Sequence, residues 1–174
     1  MIISEKKGNL PEGTATGKEL DWLHLEWYEA SKRILHKRTV SGNEIICKFL
    51  NEPQRLTQGD ILFEDANTMI VVNILTCTTI VFHPSSFYEV ASVCYEIGNK
   101  HLPLYYEDGD LLIPYDLPLY RTLSSLGFAI AKEERKLLHP LKTTVAPHED
   151  GTTSSLFSKI MKFTTNNHAS KNPD

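Results

Sequence analysis

The spacing of the apolar residues changes near Cys77, and that change constrains the fold more than any other feature of the chain. Upstream of it, short apolar runs alternate with turn formers. Trp22 and His24 (with Leu23 and Leu25 on the other face), then Trp27 and Ile34, sit among polar residues. Ile45, Ile46, Cys47, Phe49 and Leu50 follow Ser41-Gly42-Asn43, and Gln58-Gly59-Asp60 precedes Ile61-Leu62-Phe63. Another turn over 64–67 leads into the run 69–75. Strand-length runs punctuated by Gly, Asn and Asp mark a small all-β unit. Residues 1–75 are therefore read as one β domain.

Downstream, Thr78-Thr79-Ile80-Val81-Phe82 is a β-branched strand ending at His83-Pro84. Ser85 or Ser86 can cap a helix, since a hydroxyl satisfies a free N–H at the helix start. Phe87, Val90, Ala91, Cys94 and Ile97, with Tyr95, recur at helical spacing. Gly98-Asn99 suits the left-handed residue that stops a helix. Strand-like runs at 102–106 and 111–114 flank Glu107-Asp108-Gly109-Asp110, a hairpin turn. Asp116 can cap a second helix, which tolerates Pro118 in its first turn. Leu119, Tyr120, Leu123 and Leu126 form its apolar face, Gly127 ends it, and Phe128-Ala129-Ile130 opens a last strand. Strand, helix, strand, strand, helix, strand is the ferredoxin-like βαββαβ order. The expected class is α+β: the β domain over 1–75, then a ferredoxin-like domain over 76–150. Residues 151–174 lack a core-forming pattern and are expected to be a flexible tail, so trimming after about residue 162 is expected to leave the core folded.

Composition narrows the function. The 174 residues carry a net charge of -4, against the basic excess that nucleic-acid binding needs. The run Lys32, Arg33, His36, Lys37, Arg38 is short and mixed, and reads as a solvated strand face. Residues 1–10 have no long apolar core, and no run is long enough to span a bilayer. Cys47, Cys77 and Cys94 are odd in number and widely spaced, which suits three small buried hydrophobes rather than disulfides or a zinc site. A cytoplasmic protein with no membrane partner is expected.

Catalytic motifs are missing: no nucleophile elbow, phosphate loop, dinucleotide fingerprint or His-Glu-x-x-His helix. Glu133-Glu134 and Glu107-Asp108 read as solvated faces and turns. No enzyme is expected. The seven histidines, His24, His36, His83, His101, His139, His148 and His168, contain no close pair. His101 stands out by position, just past Gly98-Asn99 at the expected start of a strand, where binding groups often project. Spacing alone favours an ordinary polar residue bonded to a loop carbonyl.

A resemblance shifts that balance. Gly98-Asn99-Lys100-His101 resembles the Gly-Asn-(Arg/Lys)-His signature of the UreE family of urease accessory proteins. Leu102-Pro103-Leu104 and Leu111-Leu112-Ile113-Pro114-Tyr115-Asp116 extend the likeness, and Asp21-Trp22, Lys32-Arg33-Ile34 and Gly59-Asp60-Ile61-Leu62 resemble the family's N-terminal domain. It covers roughly residues 1–150. The resemblance implies a nickel metallochaperone: a homodimer formed through the ferredoxin-like domain, with His101 and its symmetry mate holding Ni(II) at the interface. It implies urease apoprotein and the urease accessory GTPase complex as partners. Some relatives also place a tail histidine in the nickel shell, a part that Val145-Ala146-Pro147-His148 would give to His148; a solvated His148 is weighed equally. His168 is read as a solvated tail residue. Tyr115 and Leu117 stand where many relatives carry further histidines, and the tail is not histidine-rich, so few ions per dimer are expected. Zn(II) and Cu(II) are expected to compete in vitro, copper most strongly. Two dimers around one metal remain open, as does a metal-independent interaction module of an accessory complex. A small-ligand enzyme would need an acid–base or nucleophilic pair that the sequence does not offer.

Overall fold

The computed structural model describes residues 1–50 and 55–141. The tail, including His148 and His168, lies outside the described residues. The N-terminal part contains β1 (Ile2–Ile3), β2 (Gly8–Asn9), β3 (Glu19–Leu25), β4 (Ile34–Arg38), β5 (Glu44–Lys48), β6 (Asp60–Glu64) and β7 (Thr68–Ile74). They form one sheet in the order β1-β5-β4 and another in the order β2-β6-β7-β3. β3 and β7 pair in parallel over seven residues each, and β1 also runs parallel to β5. The alternation along β3 buries Asp21, Leu23 and Leu25, and the two sheets enclose a core that includes Leu35, Ile45, Phe49, Leu62 and Val72. Trp27 lies outside the strands, in the turns that follow β3.

The second part reads β8 (Cys77–Phe82), α1 (Phe87–Asn99), β9 (Tyr105–Glu107), β10 (Asp110–Pro114), α2 (Leu117–Ser125) and β11 (Ile130–Arg135). Its sheet order is β11-β8-β10-β9 with every pairing antiparallel, so the class is α+β and the arrangement ferredoxin-like. Both helix caps follow the sequence. The Ser86 hydroxyl accepts the Glu89 N–H, and the Asp116 carboxylate accepts the Leu119 N–H at 2.8 Å. Asp108 and Gly109, both at positive φ, make the two-residue hairpin turn. One face of the sheet packs on the helices through Ile80, Phe82, Ile97, Ile113, Leu119 and Leu123. The other carries Val81, Tyr105, Leu112 and Leu137, with Trp27 and Cys77 against them.

The chain after β11 runs back along the free edge of β9. Tyr106 donates to the His139 carbonyl at 2.9 Å, and Leu141 donates to the Leu104 carbonyl at 2.8 Å. On the way, the Lys136 ammonium reaches the Asn73 side chain at 2.9 Å, and Leu138 packs on the core of the first two sheets. Residues Met1–Leu141 thus form one compact unit. No helix among the described residues is long and apolar enough to cross a membrane.

Asp21, the first residue of the Asp21-Trp22 pair, ties β3 to the turn after β4. It accepts from the Ser41 N–H at 3.0 Å and the Asn43 amide at 2.9 Å. Burial pushes its pKa up, but hydrogen bonds from Thr39, Asn43 and Ser41 together outweigh it and leave the carboxyl below its ordinary value. The stability this lends is present above the ordinary carboxylate range and is lost as pH falls through the lowered folded value. Asp21→Asn is expected to cost about 1–2 kcal/mol at pH 7. That deficit should shrink below about pH 4. Denaturant midpoints of both proteins at the two pH values check this, and an equal deficit at both would exclude the ionised carboxylate as its source.

Candidate metal centre

His101 is where the structure departs most from the sequence reading. Gly98 and Asn99 do not stop α1; both lie inside it, and Lys100 is the cap. The left-handed residue is His101 itself, at φ 53°. Nor does His101 open a strand, because β9 begins only at Tyr105 and Pro103 intervenes without an N–H to donate. The His101 N–H bonds the Gly98 carbonyl at 3.0 Å, and the Leu102 N–H bonds the Ile97 carbonyl at 3.2 Å. Those two bonds define a Schellman helix end, with His101 at the position usually given to glycine. Ile97 is buried and Leu102 packs in the same cluster, which supplies the motif's apolar contact. The helix runs on past Gly98 because this contact forms only after one more partial turn.

The end of α2 provides an internal comparison. There the Gly127 N–H bonds the Ser124 carbonyl at 3.1 Å, and the Phe128 N–H bonds the Leu123 carbonyl at 3.3 Å. Gly127 holds the left-handed position at φ 79°. The same turn is thus built twice, once with glycine and once with histidine. A left-handed backbone costs a side-chain-bearing residue about 1 kcal/mol relative to glycine. Histidine tolerates it better than most, but still bears part of that cost.

His101 is exposed, and so are residues of α1 that the helical period assigns to the core. The inward face is Val93 and Ile97, with Val90 and Cys94 half-buried. Phe87 is 86% exposed, Tyr88 78% and Tyr95 69%, and Ala91 and Gly98 are exposed as well. Their spacing places them along one side of the helix. A helix that is apolar on both sides is normally covered on both. Leu126, expected on the apolar face of α2, is likewise exposed.

The other described histidines are placed differently. The His83 Nδ1 lies 2.8 Å from the Asp110 carboxylate, and Arg135 bridges the neighbouring Glu107 at 3.2 Å. His24, His36 and His139 are exposed on separate segments. Among the described residues no three His, Cys, Asp or Glu side chains gather as a metal site. Burial raises all three cysteine pKa values, that of Cys47 to about 11, so none is a ready thiolate ligand. Cys77 and Cys94 are half-buried rather than fully enclosed as expected. Tyr115 is occupied by Tyr120 and by the Lys132 ammonium, 4.5 Å from its ring centre. The sequence reading places Leu102 at the start of a strand-like run, whereas it closes the end of α1. Its signal was an apolar residue five positions after the buried Ile97, across a helix end.

The comparisons agree with this architecture. The family model of the UreE urease accessory protein N-terminal domain matches residues 3–75, and that of the C-terminal domain matches residues 75–154. A urease accessory protein UreE of Flavobacterium johnsoniae is 42% identical, covering 94% of this chain and 99% of its own length. Counterparts of the same name from Actinobacillus pleuropneumoniae and Helicobacter bizzozeronii are each 38% identical, over 83% and 86% of this chain and 80% and 87% of their own. These relatives are named as accessory proteins, not as enzymes. The chain belongs to the UreE family of urease accessory proteins.

Proposed function

We propose that this protein is a nickel metallochaperone. Two copies pair through the ferredoxin-like part, hold Ni(II) between their His101 imidazoles, and deliver it to urease apoprotein during assembly of the urease active site. The observation that carries the reading is a histidine in a glycine position, at the end of an uncharged aromatic helix face. A two-fold axis near that end would turn one imidazole per chain into two ligands. It would also cover Phe87, Tyr88 and Tyr95. Imidazole suits nickel, and a shell of two leaves positions open through which cargo can leave. The urease accessory GTPase complex is the other proposed partner, in a cytoplasmic setting. Zn(II) and Cu(II) are proposed as in vitro competitors.

His148 is proposed as the ligand that completes the shell. The likeness of Val145-Ala146-Pro147-His148 to a tail segment of some relatives is what supports that role.

The test is nickel titration calorimetry on the wild type and His101→Ala, with solution mass measured in parallel. The expected result is less than one nickel per chain on a dimer, with tight binding lost in the variant and its fold kept. A folded wild type that binds no nickel would retire the donor reading in favour of a metal-independent interaction module.

A further inference from the structure

The two helix ends differ in what they carry, not in how they are made. In each, an apolar residue just past the turn packs in the same core as the buried residue that accepts its N–H: Leu102 with Ile97, and Phe128 with Leu123. Because β8 and β10 run antiparallel and each helix returns alongside its strand, the two ends lie at opposite ends of the sheet. Nature has thus placed the same clamp once beside His101 and once far from it.

We propose that Leu102 is a positioning residue for the metal ligand His101, a step that rests on the nickel reading above. His101 is exposed and has no side-chain hydrogen bond among those the described residues make, so nothing seen at the imidazole itself fixes its direction. Its backbone sets the direction in which the side chain leaves the turn. That backbone sits in a left-handed conformation that a histidine leaves readily unless it is held. Two hydrogen bonds hold it, and the one from Leu102 lasts only while the Leu102 side chain stays in the cluster with Ile97. If the side chain is shortened, the turn relaxes toward ordinary helical or extended φ and the imidazole swings away from its mate. A site made of two such imidazoles feels the loss twice. Ligands need to be held near their productive geometry by locked neighbours, and losing such support costs metal affinity even when every ligand remains.

The experiment compares Leu102→Ala, Leu102→Met and Phe128→Ala in the full chain, reading nickel affinity by calorimetry, thermal midpoint, and amide exchange at residues 101 and 102. Leu102→Ala is expected to speed exchange at both amides and to weaken nickel by about tenfold or more. Leu102→Met, which keeps the length, restores both readings. Phe128→Ala breaks the distant clamp, lowers the thermal midpoint, and leaves nickel affinity unchanged. Wild-type affinity in a folded Leu102→Ala would overturn the proposal, as would an equal loss in Phe128→Ala, which would reduce the effect to general destabilisation. If Leu102→Ala does not fold, Leu102→Val stands in its place with the same readings. If the wild type binds no nickel, the donor reading fails on its own; amide exchange then still decides whether Leu102 holds the turn, and unchanged exchange overturns it.

Discussion

His101→Gly is expected to melt higher than the wild type and to bind no nickel at the proposed shared site. Both effects come from one residue. Glycine enters the left-handed region without the contact between Cβ and carbonyl that costs other residues about 1–2 kcal/mol. Histidine bears less of that cost than most, and glycine gives back about 0.5–1 kcal/mol through the freedom of its unfolded chain. The net gain is a few tenths to about 1 kcal/mol. For a chain of this size that is a rise of roughly 1–4 °C. His101→Ala removes the same imidazole without relieving the backbone, so it should melt below His101→Gly. Metal-free melts in chelator give the comparison without the stabilisation that any bound metal would add. A His101→Gly protein melting below His101→Ala would mean that residue 101 is not left-handed in solution. The sign of the difference matters more than its size: selection for stability alone would have placed glycine here, as it did at Gly127.

The largest stability loss should come from Gly59→Ala. Gly59 sits at φ 81°, and a methyl group there would run into the Leu10 carbonyl oxygen. That oxygen cannot move away cheaply. The Leu10 N–H is bonded to the Gly59 carbonyl at 2.8 Å, and the Asn9 side chain to the Gln58 carbonyl at 2.9 Å. The next residue, the buried Asp60, gathers Lys6 at 3.0 Å, Asn9 at 3.1 Å and the Thr57 N–H at 2.7 Å. Forcing this corner open therefore strains the backbone and also strands a carboxylate from its donors. The expected cost is about 3 kcal/mol or more, read as a shift in denaturant midpoint with the transition slope unchanged. A cost near zero would show that β2 is not held against β6 in solution. The Gly59-Asp60 pair read from the sequence as part of a family likeness is thus a close backbone approach followed by a buried anion.

What the sequence revealed was what is local. The Asp116 and Ser86 caps, the Asp108-Gly109 turn and the order of strands and helices all follow from residues a few positions apart. The failures share a different cause. Gly98 looked like the helix stop because glycine is the commonest signal, yet the stop is set by Leu102 finding Ile97 in a core that the whole sheet completes. Phe87, Ala91 and Tyr95 shared the helical period with the true core residues, and apolarity alone could not tell which side meets the sheet. β1 and β2, two residues each, are too short to show any period. Of the site, the sequence offered the histidine and its neighbourhood. Its left-handed backbone became visible only in three dimensions.

The return of the chain along β9 has a bearing on how this protein could have been assembled from parts. Lys136 and Leu138 belong by sequence to the second part, yet they contact Asn73 and the core of the first. A gene fragment encoding only the first part would lose Leu138 from its core, and one encoding only the second would carry that leucine with nothing to bury it. The hydrogen bonds from His139 to Leu141 close a sheet edge that would otherwise invite a neighbouring chain. The two parts, separable as patterns, are therefore poor candidates for independent inheritance. A lineage that shed the first part would have to rewrite six residues at the end of the second.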